Sequence, residues 1–331
     1  MSGLRNRLGW ILVGLSLFLH FFTVYCYITQ PERFAAYTVA PIWFWGAIGL
    51  FLSCFAFCFL RAPLSMVVSF IWAITLLVGA DESHALAHLT TEPPRPGAAA
   101  LHHNQPVIRV LTMNCAFLLQ GAPTNDIEYW QPDIVFLQEV DAPQLKEIAE
   151  RLYGGTGDYR SFHRNGVITR WKINAEVRYP HANFQQLRIV LPDQREINLL
   201  NVHLLSAATD LRLWRKIAWK EHRDNRRARK SQLSAALQIL EQTTPFPNSP
   251  TLVCGDFNAP AWDQVHNLLS RDFTNAFSTV GTGWGNTFQR RLPILRIDHI
   301  YSTRQFTPVR CRAVTTRHSD HRLVVADFLM K

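Results

Sequence analysis

Apolar and polar positions follow two regimes along the chain. Up to about residue 80 the sequence is a series of unbroken apolar runs. Gly9–Ile28 carries no formal charge, and His20 is its sole ionisable side chain. Pro41–Leu60 is a second run, rich in Phe and Trp, and Leu64–Ala80 is a third, somewhat shorter. A helix rises about 1.5 Å per residue, so about twenty residues cross a hydrocarbon core of about 30 Å. The pattern therefore predicts three transmembrane helices, at 9–28, 41–60 and 64–80. The first run, preceded by Arg5 and Arg7, also has the layout of a signal peptide. It is long for one, and no clear small-x-small site follows. His20 reads as a polar contact between helices.

The flanking charges predict an orientation. Arg5 and Arg7 precede the first run and Arg61 sits in the turn between the second and third. The loop Thr29–Ala40 holds one Glu and one Arg, and Asp81 and Glu82 follow the third run. The positive-inside bias then places the N-terminus in the cytoplasm and everything after residue 81 on the other side. Residues 81–105 hold Pro93, Pro94 and Pro96, the small run Gly97–Ala100, and His84, His88, His102 and His103. The histidine spacing fits no metal geometry, and the segment reads as a flexible linker.

From residue 106 the pattern changes to short apolar strands that end in polar clusters. They are Val107–Asn114, Asp133–Val140, Ile197–Leu205, Leu252–Asn258, Arg296–Ser302 and Ser319–Phe328. Amphipathic periodicity predicts helices at Ala142–Leu152 and Leu211–Glu241. The strand ends deliver Asn114, Glu139, His203, Asp256, Asn258, Asp298, Asp320 and His321. In Gly255-Asp256-Phe257-Asn258, the carboxylate can hold or deprotonate a water and the amide can donate to a phosphate oxygen. Taken alone this stretch is equally a strand-to-turn junction. Adjacent strand residues face opposite ways, so Asp320 and His321 can share a site only from a loop or strand end.

Charge and cysteine content narrow the picture. The chain has 34 Lys+Arg against 25 Asp+Glu. Five arginines face four acids before residue 106, which leaves a net +8 for the remainder. A basic domain favours anionic partners. Much of that charge lies in 212–230: Arg212, Arg215, Lys216, Lys220, Arg223, Arg226, Arg227, Arg229 and Lys230, with Trp214 and Trp219 between them. Such a helix can lie on an anionic membrane or track a nucleic-acid backbone, with Arg226 and Arg229 as candidate substrate contacts. It can equally be a solvated face whose stems cover the core. The six cysteines include no CxxC pair, which argues against zinc or redox chemistry and for buried free thiols.

Gln138-Glu139, Gly255-Asp256-Phe257-Asn258 and Ser319-Asp320-His321, with Asn114, His203 and Asp298 in the same order, resemble the endonuclease/exonuclease/phosphatase superfamily over 106–331. That superfamily contains DNase I, abasic-site endonucleases, neutral sphingomyelinases and inositol polyphosphate phosphatases. The resemblance implies a four-layer α/β sandwich, with two packed mixed sheets flanked by helices. It implies Mg2+, or Mn2+ in its place, on Glu139 and Asp320 with Asn114 nearby. Asp256 would act on the attacking water. Asn258, His203 and His321 would hold phosphoryl oxygens or assist the leaving group, and Asp298 would orient His321. Where the family has Ser-Arg followed by Pro, this chain has Thr169-Arg170-Trp171-Lys172. Gly281–Thr287 is a Gly-rich loop without the GK[ST] of a P-loop, and Trp284 in it reads as a substrate contact or a packing residue.

The expected protein is a multi-pass enzyme, of a bacterial inner-membrane type, hydrolysing a phosphodiester of nucleic acid or of a phospholipid headgroup. The alternatives are a phosphomonoesterase on phosphoinositides or sugar phosphates, and an inactive membrane-anchored scaffold. A missing motif residue would favour the scaffold, and none is missing. No obligate protein partner is implied.

Overall fold

The computed structural model describes residues 2–61, 63–88, 90–97, 105, 107–179, 184–207 and 212–331. The chain divides into two compact units, one of residues 1–87 with 208–224 and one of 88–207 with 225–331. Of the linker histidines, His102, His103 and the side chain of His84 lie outside the described residues.

The first unit contains α1 (Ser2–Thr29), α2 (Ile42–Leu60), α3 (Pro63–Gly79) and α4 (Asp81–Ala87). Small residues let the first three approach closely. A Cβ on Gly49 would fall 2.0 Å from the Trp72 ring, and one on Gly46 would meet Leu76. Polar side chains on the inner faces then find partners: Ser16 donates to the Gly49 carbonyl at 2.8 Å and accepts from the Trp72 indole at 3.1 Å. His20 meets Thr75 at 2.8 Å, the helix contact expected of it. Phe18, Phe21, Phe51, Phe70 and Leu77 point outward. Two of these helices, Gly3–Thr29 and Ile42–Leu60, are long and apolar enough to cross a membrane. The expected third span is apolar but only 17 residues long. In the same unit the Trp219 ring packs edge-on against Phe34 in the turn after α1.

The second unit begins with a short approach segment pinned to the fold. Arg109 is fully buried and forms a two-pronged pair with Asp327 at 2.7 and 3.1 Å. Its remaining nitrogen donates to the carbonyls of Arg95, Gly97 and Trp130, and Arg310 reaches Glu92 at 3.4 Å. The stretch read as a free linker is thus helical at 81–87 and clamped at 92–97.

Among the described residues twelve strands follow, in two six-stranded mixed sheets. The first contains β1 (Ile108–Asn114), β2 (Ile134–Gln138), β3 (Asp158–Phe162), β4 (Asn165–Thr169), β11 (Phe306–Val314) and β12 (Leu323–Met330), in the order β11-β12-β1-β2-β4-β3. The second contains β5 (Lys172–Val177), β6 (Phe184–Val190), β7 (Glu196–His203), β8 (Thr251–Asp256), β9 (Phe273–Asn275) and β10 (Asp298–Thr303), in the order β5-β6-β7-β8-β10-β9. The pairs β1–β2 and β7–β8 are parallel and the rest antiparallel.

The two-residue period of a strand decides what faces what. In the first sheet Leu111, Met113, Val135 and Leu137 pack against α5 (Thr124–Trp130) and α6 (Ala142–Tyr153) through Ile127, Leu145 and Ile148. In the second, Leu200, Val202 and Val253 pack against Leu233, Ala236 and Leu240 of α7 (Lys216–Thr243). The alternate positions therefore face the opposite sheet. At the ends of the strands those positions are Asn114, Gln138, His203, Asp256 and Asp298. Deeper in, Asn201 of β7 accepts from the Gln138 amide at 2.7 Å and donates to the carbonyls of Leu137 and Gly166 at 3.0 and 3.1 Å, bolting one sheet to the other. A last short helix, α8 (Ala276–Val280), precedes the Gly-rich loop.

The three thiols of this unit, Cys115, Cys254 and Cys311, are buried and unpaired. Burial pushes all three upward, Cys311 to about 12.

Gly255 is where this packing is least forgiving. Its φ is +138°, and a Cβ there would lie 2.0 Å from the Val202 carbonyl oxygen of the neighbouring strand. Gly255→Ala should therefore lower unfolding stability by at least about 3 kcal/mol, read by urea titration of the full chain in detergent. Wild-type stability would show that β7 and β8 have room to part.

Candidate active site

The strand ends of both sheets open into one cavity of ≈ 560 Å³. Of the residues singled out in the sequence, Asn114, Glu139, His203, Asp256, Asn258, Asp320 and His321 line it. Asp298 stands directly behind His321. Arg226, Arg229 and Trp284 are not among its walls.

Asp256 is 1 % exposed at the end of β8. Its Oδ2 accepts from the Asn114 amide at 3.0 Å and from the Asn258 amide at 3.2 Å, and its Oδ1 from the Asn258 backbone N–H at 2.8 Å. The first of these bonds crosses from one sheet to the other. The Asn258 amide also donates to the Leu204 carbonyl at 2.9 Å, which joins the turn after β8 to the end of β7. Burial, and next the Asp298 charge, push the Asp256 carboxyl above the ordinary carboxylate range, against the pull of His321, His203 and the Asn114 bond.

His321 lies 2.9 Å from Asp298 through Nδ1, and its Nε2 is 4.0 Å from Asp256 Oδ2. Burial alone would lower this imidazole, but Asp298, with Asp256 and Asp320 adding to it, pushes it up to about 10. At neutral pH His321 is therefore a cation held between carboxylates, with Nε2–H available to the cavity. Two hydroxyls place it. Ser319 accepts from the His321 N–H at 3.0 Å and donates to the Asn114 carbonyl at 2.7 Å. Thr287, the last residue of the Gly-rich loop, accepts from the backbone N–H groups of Ile297 and Asp298 at 3.1 and 3.2 Å. Asp320 and His321 precede β12, as sharing the cavity requires.

Glu139 follows β2 with φ +55° and Asn258 has φ +49°, both left-handed conformations that cost a non-glycine residue about 1 kcal/mol or more. His203 Nε2 is 3.5 Å from Glu139 and 3.9 Å from Asp256. Asp256, Asp298 and His321 offer ligand atoms within 4.8 Å of one another. Within this trio the His321 Nδ1–Asp298 contact at 2.9 Å already joins two of the three members. Glu139, Asp320 and Asn114 line the same cavity, and carboxylate and carboxamide oxygens are the donors that suit Mg2+ or Mn2+. The Ala116 N–H bond to Asn114 Oδ1, at 2.9 Å, fixes which end of that amide carries the oxygen.

The arginines proposed as substrate contacts require correction. Arg226 and Arg229 are 1 % exposed and point at the buried Asp263, at 3.2 and 3.6 Å. That carboxylate in turn caps the turn after Asn258 by accepting from Val265 N at 3.0 Å. Seen as charges in sequence they belong to a basic face, but the helix turns them inward. Trp284 is half exposed, and its indole donates to the Pro293 carbonyl at 2.7 Å within its own loop, whose Phe288 lines the cavity instead. Other walls carry no sequence signature: Phe117, Leu119, Leu205 and Asn165; His163, just ahead of β4, lines the cavity too. Arg164 stacks over Phe117 with its guanidinium 4.8 Å from the ring centre.

A family model for the Endonuclease/Exonuclease/phosphatase family matches residues 111–321. Among similar solved structures is the human Nocturnin catalytic domain with bound sulfate, at 20 % identity and TM-score 0.54, covering 72 % of this chain and 100 % of that one. A mannosyl-6-phosphatase of Bacteroides thetaiotaomicron is 16 % identical with TM-score 0.54 and coverage of 67 % and 100 %. D. rerio TDP2 with a single-stranded DNA product is 14 % identical with TM-score 0.51 and coverage of 68 % and 99 %. At these identities the likeness is one of fold. Comparison with curated protein sequences gives no match.

Because Asp298 is what lifts His321, Asp298→Asn should bring the imidazole down from about 10 toward the ordinary range, read by NMR titration of labelled histidine. A raised histidine stabilises the fold fully below about pH 6.5 and loses that contribution as pH climbs through about 10, so the variant should also flatten the alkaline fall in unfolding midpoint. An unmoved titration would refute the pairing as the cause.

Proposed function

The chain belongs to the Endonuclease/Exonuclease/phosphatase family, and from that premise we propose that it is a membrane-anchored, divalent-metal-dependent phosphoesterase acting on a phosphodiester. The observation that carries the reading is His321, backed by Asp298 at 2.9 Å, standing with its Nε2 4.0 Å from the buried Asp256 on the same cavity. Glu139 and Asp320, with Asn114, would hold the cation, which when bound neutralises charge on the phosphate.

Hydrolysis consumes one water. Its oxygen bonds to phosphorus as the bond from phosphorus to the leaving oxygen breaks. Asp256, ionised, orients the water and takes its proton, and the two amides bonded to it keep its oxygens aimed. On this reading His321, protonated, donates to a non-bridging oxygen, and His203, which lines the same cavity, protonates the leaving oxygen. A protonated His321 acts here as an acid and electrostatic clamp, not as a base.

The first unit supports the anchoring. Its outward phenylalanines and leucines, its small-residue packing and its satisfied inner polar groups suit α1, α2 and the shorter α3 to a bilayer. On that reading 1–80 is the membrane domain, 81–105 the linker and 106–331 the catalytic domain, with the N-terminus cytoplasmic and catalysis on the periplasmic side of a bacterial inner membrane. Arg212, Arg215, Lys216 and Lys220 run with no acidic residue among them, beside Trp214 at 82 % exposure. That stretch belongs to the unit of apolar helices and touches the turn after α1 through Trp219 and Phe34. These contacts favour an anionic lipid surface over nucleic acid as its partner.

The full chain in detergent should hydrolyse bis(p-nitrophenyl) phosphate with Mg2+ and lose that activity in EDTA. Asp256→Ala and His321→Ala should each fall at least about a hundredfold while staying folded. Turnover close to wild type in either would remove the assignment.

A further inference from the structure

Asn165 opens β4 and is 2 % exposed, yet it lines the catalytic cavity. It is the cross-strand partner of Gln138, so the two side chains leave the sheet on the same face, toward the second sheet. Ile168, three residues on, lies on the opposite, helix-covered face, as the alternation requires. The amide of Gln138 is spent on Asn201. Its Oε1 and the Oδ1 of Asn165 are both buried with no hydrogen-bond partner among the described residues. Two acceptors on one face, one of them in the cavity wall and next in the sheet to the strand that ends at Glu139, call for an O–H donor between or in front of them. The Gln138 amide cannot be turned, because its nitrogen is the end that meets Asn201 Oδ1, so its Oε1 stays an acceptor on this face. A buried polar group without a partner is retained in a native fold when something else supplies the bond.

We propose that Asn165 is a further ligand-contacting residue of this cavity, its carboxamide accepting an O–H from what binds there. This rests on the phosphoesterase reading above. The donor is either a water of the cation held beside Glu139 or a hydroxyl next to the scissile phosphate. The chemistry is the same and the source differs. Among the described residues the side-chain oxygen makes no hydrogen bond that holds the fold together. Removing it takes away a stranded polar atom and leaves the backbone ladder to Gln138 and Phe162 in place.

The test compares full-length wild type with Asn165→Ala in detergent, by unfolding midpoint, by Mg2+ titration calorimetry, and by kcat and KM on two diesters. Bis(p-nitrophenyl) phosphate carries no hydroxyl, and a ribodinucleotide does. The expected result is an unchanged or higher midpoint with kcat/KM at least about tenfold lower. If the donor is a cation-bound water, Mg2+ affinity falls about tenfold and both esters suffer alike. If it is a substrate hydroxyl, Mg2+ affinity holds and the loss is confined to the ribodinucleotide. A lowered midpoint with unchanged kcat/KM and Mg2+ affinity would show that Asn165 merely holds a structural water, and the proposal fails. Should wild type turn over neither ester, the phosphoesterase reading fails first, and the substrate-hydroxyl source falls with it. Mg2+ affinity then decides the cation-bound water as the remaining source, and equal affinity in the two proteins overturns the proposal.

Discussion

The hydrogen bond from the Asn114 amide to the Asp256 carboxylate is the constraint on which this architecture turns. It joins the last residue of a strand in one sheet to the last residue of a strand in the other. A carboxylate 1 % exposed must be fully bonded or it would take up a proton or let in water. Satisfying it requires Asn258 to fold back over it in a left-handed turn, and that turn holds the end of β7 through Leu204. The same few bonds thus close the sandwich at its catalytic end and set the spacing between the groups that face the cavity. Below them the Gln138–Asn201 bridge repeats the device one layer deeper. The core between the sheets is therefore polar just where an ordinary sandwich would be filled with aliphatic side chains.

Much of this was legible before any coordinates. The strands ending at Asn114 and Asp256, and the one that His321 precedes, could be read because apolar runs meet residues with chemistry abruptly at their ends, and a two-residue period then fixes which positions face inward. The second sheet-facing layer was legible for the same reason, and the observed ends of β1, β2 and α6 lie within two residues of the expectation.

What the sequence concealed is equally physical. Arg226 and Arg229 look like their exposed neighbours, because nothing local tells a helix which of nine cations will find Asp263, 37 residues away in the chain for Arg226. Asn165 carries no motif, and its place in the wall depends on pairing with Gln138. Thr287 was hidden inside a loop whose glycines drew attention first, yet its hydroxyl sets the strand that carries Asp298. The 92–97 stretch has the composition of a tether, but a buried guanidinium recruits its carbonyls. In each case a long-range partner outweighs local composition.

The state of the cysteines has a consequence for where such a unit can work. Cys115, Cys254 and Cys311 are sealed in the interior and held as neutral thiols, so none offers a thiolate to an oxidant or to a wandering disulfide. Among the described residues this fold has no crosslink to be reduced and no exposed thiol in its second unit to be oxidised. Its closure therefore rests on hydrogen bonds and packing, which a change of redox potential leaves untouched.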